Sequence, residues 1–312
     1  MFDILIVGGG AAGFYAAIHA AEVNPELKIA ILERGKEVLT KVKVSGGGRC
    51  NVTHAEFDPN ELIKNYPRGE KELRGPFHTY CSGDTISFFE KRGITLKIEE
   101  DGRMFPESNT SKTIIDCFVN EADRLGIKLL RNSSVVAIEP IQISEENPFD
   151  GWMVESIQKK YYAKKILVAT GSNPKIWKIM EKLGHKIITP VPSLFTFNIK
   201  DSRIDGIPGV STNAVVEVLD KTPHSKITIN LKSKEAHRAI LISDGPLLIT
   251  HWGMSGPAIL KLSAWGAREL NNWKYKFVIR VNWLPEYHEE GMLMLLMQIK
   301  EVEAKKTVLR TN

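Results

Sequence analysis

The stretch "DILIVGGGAAG", residues 3–13, constrains this chain more than any other. The run "FDILIV" (2–7) is apolar without polar alternation, which predicts a strand buried on both faces. Gly8, Gly10 and Gly13 follow in G-x-G-x-x-G spacing, and "AAGFYAAIHAAEV" (11–23) is built from strong helix formers. "KIAILE" (28–33) predicts the next strand. Strand, glycine turn, helix and strand within about thirty residues make a βαβ unit.

Each glycine in that unit has a physical reason. Gly8 permits a tight turn, Gly10 lets the backbone reach a pyrophosphate, and Gly13 lets helix and strand pack closely. Ala11 and Ala12 lie in the same turn, where the helix N-terminus favours phosphate charge. Glu33 stands 20 residues after Gly13 (33 − 13), with Arg34 beside it. A carboxylate there accepts hydrogen bonds from an adenosine ribose. The expectation is a dinucleotide site.

A second glycine run decides which dinucleotide. The long loop after the second strand, with "KVSGGGRCNVTH" (43–54), carries Gly46, Gly47 and Gly48 together with Lys41, Lys43, Ser45, Arg49, Cys50 and Asn51. Consecutive amides in a glycine loop form an anion-binding nest, and lysines offset pyrophosphate charge. A second cradle suits the longer, ribityl-bearing tail of FAD better than NAD. Arg49, directly after the glycine run, is expected on the cofactor, where a cation near the flavin ring would stabilise its reduced anion. Cys50 reads as a small buried residue with no catalytic role.

The 312 residues suggest two domains, 1–189 of doubly wound α/β type and 190–312 rich in strands with a helical end. In the first, helices are expected at 79–92 and 111–125, strands at 126–130, 134–140, 152–157 and 164–172, and a turn-rich connection at 146–151. In the second, strands are expected at 194–200, 214–219, 226–231, 239–243, 246–250 and 275–281, and helices at 255–271 and 286–306. "MLMLLMQI" (292–299) reads as core packing.

The net charge of +5 comes from lysines that read as scattered, so a solvated surface is expected and no nucleic-acid partner. Cys50, Cys81 and Cys117 form no C-x-x-C pair, which excludes a zinc knuckle or a redox disulfide on spacing grounds. The histidines show no ligand spacing, so no metal is expected. Free thiols, no basic leader and no membrane-length apolar run predict a cytoplasmic protein.

Together "IVGGGAAG", "SGGGRCNVTH", "DGRMFPES", "LVATGS" and "LLITHWGMSGPAIL" resemble the bacterial aminoacetone oxidase-like, or BaiN-like, NAD(P)/FAD-dependent oxidoreductases. The resemblance implies a glutathione-reductase-like FAD domain with a β-rich domain inserted into it. It implies that Ser45 through Asn51 lie along FAD, that the main chain at Val135 meets adenine, and that Ala169, Thr170 and Gly171 pass close to the cofactor. "GSNPKIW" departs from the glycine-rich continuation of relatives. The family also returns to the FAD domain through a C-terminal segment, which this chain is expected to lack beyond Asn312.

The reaction expected is hydride transfer from a small-molecule substrate to flavin N5, with reoxidation by oxygen or NAD(P). Arg103 is a candidate for binding an acidic substrate, from what reads as a polar loop. His251 is a candidate acid or base, or a buried histidine with structural hydrogen bonds. A flavin-dependent RNA-modifying enzyme and a non-catalytic nucleotide-binding module remain open as alternatives.

Overall fold

The two apolar runs become neighbouring parallel strands in a computed structural model that describes residues 1–143, 150–219, 239–287 and 289–304. The chain divides into two compact units, Met1–Ile188 and Thr189–Asn312. Strands of the first are β1 (Phe2–Val7), β2 (Ile29–Leu32), β3 (Thr53–His54), β4 (Leu96–Ile98), β5 (Arg103–Pro106), β6 (Lys128–Leu130), β7 (Val135–Ile141), β8 (Gly151–Ser156) and β9 (Lys160–Val168). Its helices are α1 (Ala11–Val23), α2 (Thr40–Val44), α3 (Pro59–Leu62), α4 (Glu70–Thr79), α5 (Ser82–Glu90), α6 (Ser111–Arg124) and α7 (Pro174–Lys182).

The main sheet runs β6-β2-β1-β9-β8-β7. Its first four strands are parallel, with Ile4 opposite Ile29 and Leu5 opposite Ile166. Strand β9 serves two partners: Ala163 pairs with Phe2 of β1 and with Trp152 of the antiparallel hairpin β7–β8. Ile6 and Ile31 face Phe14 and Ile18 of α1 and Phe118 of α6. Leu5, Val7, Ala30 and Leu32 face the other way, onto Ile138, Val154, Tyr161 and Ile176. Both faces are covered, so neither β1 nor β2 alternates with polar residues. Each such buried aliphatic side chain contributes about 1.5–3 kcal/mol of transfer free energy. The spatial order reverses direction between β1 and β9, and nucleotides bind at the carboxyl ends of strands beside such a reversal.

Several expectations need correction. The helix expected at 79–92 begins only at Ser82, because Tyr80 and Cys81 are extended and Asp84 caps it by accepting from the Cys81 amide at 2.7 Å; the helix before it, α4, was not expected. Residues 103–106 are not a polar loop but strand β5, the middle of a small sheet β3-β5-β4, because Phe105 is fully buried there. Helix α7 was not expected, although Asn173 caps it and Pro174 occupies its first turn, both readable start signals.

The second unit holds β10 (Phe197–Asn198), β11 (Ser211–Leu219), β12 (Ala239–Thr250), β13 (Gly253–Ser255) and β14 (Val278–Asn282), with α8 (Pro257–Trp265), α9 (Ala267–Asn272) and α10 (Glu289–Val302). Its sheet, β10-β13-β12-β11-β14, is antiparallel throughout. Val216, Val218, Leu247 and Ile249 meet Ala258, Ile259 and Leu262 of α8. The two strands expected at 239–243 and 246–250 are one. Gly245 takes φ +127° opposite Ala214, and β13 reaches only Leu248–Thr250, so among the described residues Pro246 has no strand partner on that side. The helix expected at 255–271 breaks at Gly266, where a Cβ would stand 2.2 Å from Leu241 Cδ1. "MLMLLMQI" is not core within this unit: Leu293, Met294, Leu296 and Met297 are exposed. The strand expected at 226–231 and most of the connection at 146–151 lie outside the described residues. Among the described residues no helix is long and apolar enough to cross a membrane, and no cluster of three metal-ligating side chains exists.

Candidate functional site

The glycine turn after β1 is shaped by what touches it. Gly8 has φ +119°, its amide donates to Leu32 O at 2.8 Å, and a Cβ on it would stand 2.4 Å from Ala169 O. A Cβ on Gly13 would stand 2.0 Å from Gly8 O, so α1 presses directly on the turn. Gly10 differs, because a Cβ there would meet nothing within 4 Å. It precedes α1, whose N-terminus has no side-chain cap and no acidic residue. Ala11 and Ala12 are exposed beside it. The turn is closed on its protein side and open at the helix N-terminus, as an anion requires.

Glu33 locks this turn from the end of β2. Its Oε2 accepts from the Gly9 amide at 2.9 Å and its Oε1 from the Gly35 amide at 2.8 Å. Each carboxylate oxygen keeps a second lone pair for a ligand hydroxyl. A cavity of about 160 Å³ opens at this point. Gly8, Glu33, Arg34, Val135 and Thr170 line it, as do Ser133, Ser134, Asn173 and Lys175, which sequence reasoning missed. Those four stand in "NSSVV" and "SNPK", directly beside Val135 and Gly171, and nearness to those positions was the available signal.

The strand pairing brings the Ala-Thr-Gly turn here. The Ala169 amide donates to Val7 O at 2.8 Å, and Gly171 has φ +61°. Lys41 reaches across from α2: its Nζ lies 3.4 Å from where a Gly171 Cβ would stand. The glycine turn and Lys41 therefore meet a turn that lies more than a hundred residues further along the chain.

The second glycine loop does not line this cavity. Gly46, Gly47 and Gly48 take φ +55°, +68° and +88°, and Cys50 takes +65°. A Cβ on Gly46 would stand 2.7 Å from Phe105 Cε1, whereas one on Gly47 would meet open space. Ser45 Oγ donates to Val42 O at 3.1 Å, and the Cys50 amide donates to Ser45 O at 3.0 Å. Burial pushes the Cys50 thiol up, which keeps it protonated. Asn51 is exposed.

Arg49 is held by protein. Its guanidinium pairs with both oxygens of Glu99 and stands 3.9 Å over the Phe105 ring. The same contact keeps Glu99 below the ordinary carboxylate range, chiefly through the Arg49 hydrogen bond. Arg103 joins the cluster, donating to Asp101 at 2.6 Å. Phe105 is thus the platform of the loop, and no sequence signal distinguished it from other core residues. His251 is not buried: it stands exposed in the turn between β12 and β13.

The residues present fit a dinucleotide with an adenosine end. There is an open helix N-terminus for pyrophosphate, a carboxylate for ribose, a cavity beside Val135, and a glycine loop with room at Gly47. Residues 2–259 match the family described as HI0933-like protein Rossmann domain. The chain belongs to that family. Members are FAD-binding oxidoreductases, and the first unit is a Rossmann-type FAD-binding domain.

Among HI0933-like relatives, a ribosomal RNA dihydrouridine synthase of Haemophilus influenzae is 27% identical over 98% of this chain and 70% of its own length. A 3-dehydro-bile acid delta(4,6)-reductase of Clostridium scindens is 26% identical over 92% of this chain and 65% of its own. The chain thus spans about two thirds of the length of these relatives. The open conformation of a flavocytochrome c3 fumarate reductase aligns over 68% of this chain and 47% of that one, at 18% identity and TM-score 0.47, a likeness too loose to bear on activity.

The lysines are less scattered than the sequence reading held. Residues 156–188 carry eight lysines against one glutamate, +7 net, while the whole chain carries +5. On α7, Lys175, Lys178 and Lys182 recur on the exposed face opposite buried Ile176 and Ile179.

Proposed function

We propose that this chain binds FAD and belongs to an enzyme that uses it to reduce a carbon–carbon double bond conjugated to a carbonyl. The observation that carries the proposal is the convergence of Gly8–Gly13, Glu33, Lys41 and Ala169–Gly171 on one open helix N-terminus. When bound, FAD supplies two-electron redox chemistry. Gly10, Ala11 and Ala12 would hold its pyrophosphate with backbone amides, and Lys41 would offset the charge. Glu33 would accept from the ribose hydroxyls, and Val135 with Ser133 and Ser134 would border the adenine. The loop at 45–51 would meet the distal half through Gly47 and Gly48, with Arg49 held at a fixed height by Glu99 and Phe105.

The names of both relatives describe additions of hydrogen to a ring double bond, which supports electrons running toward the substrate, the reverse of the direction expected from the sequence. NAD(P)H is the electron donor in this reading. A small-molecule enone is one substrate class. The lysine density of residues 156–188 favours a second reading, in which the double bond belongs to a base within RNA. The test is to load the purified chain with FAD under anaerobic conditions and add NADPH with either a cyclic enone or uridine-containing RNA. Product carrying two extra hydrogens by mass supports the proposal. A chain that binds FMN instead of FAD, or no flavin, sinks it.

A further inference from the structure

We infer that the lysine face of α7 is a track for the phosphate backbone of single-stranded RNA that starts beside the adenosine end of the cofactor cavity, an inference that rests on the RNA reading above. Helix α7 is divided cleanly: Ile176 and Ile179 are buried, Met180 packs on the same cluster, and Lys175, Lys178 and Lys182 stand exposed on the other side. Lys186 is exposed just beyond the helix. None of these four makes an ion pair with a described residue, whereas Lys43, Lys64, Lys112 and Lys164 each do. The face is therefore net positive: the four lysines stand against one exposed carboxylate, Glu181, which pairs with none of them.

Helix stability does not explain the arrangement. A cation is disfavoured in a helix's first turn, yet Lys175 stands in that of α7, with no acidic residue there to offset it. An anion arriving from outside would. Lys175 also lines the nucleotide cavity, so the stripe begins at the site and runs away from it for roughly 10 Å, seven residues at the helical rise. Trp177, half-buried, stands between Lys175 and Lys178 in sequence. Charge for the backbone is one of the two parts of single-strand binding; Trp177 stands about 100° round the helix from Lys178, so the face offers the charge and not the ring. A single strand also suits the chemistry, since a base inside a duplex must leave the stack before an enzyme can act on it.

The test measures binding of a fluorescein-labelled oligouridylate to the full chain by anisotropy across a salt series. The triple variant Lys178→Gln, Lys182→Gln, Lys186→Gln leaves the cavity lining intact and should leave FAD affinity unchanged. Its slope of log affinity against log salt should fall by about 2, and its affinity at low salt by about tenfold or more. A control triple variant, Lys71→Gln, Lys91→Gln, Lys112→Gln, should match the unmodified chain. Salt-dependent RNA binding that the α7 variant retains in full would overturn the track and leave the RNA reading standing. An unmodified chain that binds FAD but not the oligouridylate would overturn both. Capture by phosphatidylglycerol vesicles without RNA binding would also overturn the track. Should the triple variant melt early, Lys178→Glu alone is read the same way.

Discussion

The Glu33 carboxylate holds the Gly9 amide at 2.9 Å, tying the end of the second strand to the glycine turn after the first. The side chain expected to serve a ribose therefore also shapes the phosphate turn.

Replacing Glu33 should weaken both ligand and fold. Glu33→Ala leaves the Gly9 and Gly35 amides without their acceptor, at a cost of about 1–3 kcal/mol. FAD affinity from fluorescence titration should fall by that amount, and the melting temperature of the FAD-free chain should fall too. Glu33→Gln, which keeps one acceptor oxygen, should lie between. Loss of affinity with no change in melting would separate the two roles.

Two glycines two residues apart should respond oppositely. Gly8→Ala demands φ +119° and places a methyl 2.4 Å from Ala169 O, so the chain should be destabilised severely. Gly10→Ala has space for its methyl, and φ of −93° suits any residue. Its thermal stability should match the parent while FAD binding falls. Normal FAD affinity in Gly10→Ala would show that the pyrophosphate lies elsewhere.

The Arg49–Glu99 pair should make stability depend on pH on the acid side. Glu99 titrates below its ordinary value of 4.5 in the folded chain, so the folded state binds its proton less readily than the unfolded state does. The pair's stabilisation is complete above that value and is lost as pH falls through the lower, folded one. The difference in urea midpoint between the parent and Glu99→Gln should be greatest near neutrality and shrink below about pH 4.5. A constant difference at all pH values would mean that packing, not charge, holds Arg49 on Phe105.

The cysteines should react in an order set by burial. Burial pushes the Cys117 thiol up to about 11 and the Cys50 thiol up as well. Cys50 is also only 5% exposed. Iodoacetamide at mildly alkaline pH should label Cys81 first, with Cys50 and Cys117 following only on unfolding, as peptide mass mapping would read. Rapid native labelling of Cys50 would mark it as a reactive thiol.

Much of the nucleotide half was legible because its signals are local. A doubly buried strand must be apolar where it is buried, as Leu5–Val7 and Ile29–Leu32 are, a turn at φ +119° must be glycine, and a helix that touches the turn must begin with small residues. Those rules operate within a few residues, so Gly8, Gly10, Gly13 and Glu33 could be read in order along the chain. Tertiary structure decided everything that depends on partners distant in sequence. Phe105 became a buried strand residue beneath Gly46 and Arg49, though its segment also carries Asp101, Arg103 and Glu107. Gly245 and Pro246 look like a turn, but pairing with β11 on one side carries the strand through them. Lys175, Lys178 and Lys182 share one exposed face only because α7 buries Ile176 and Ile179. Local sterics act along the sequence, whereas packing and charge act through space, and only the fold sets which residues share that space.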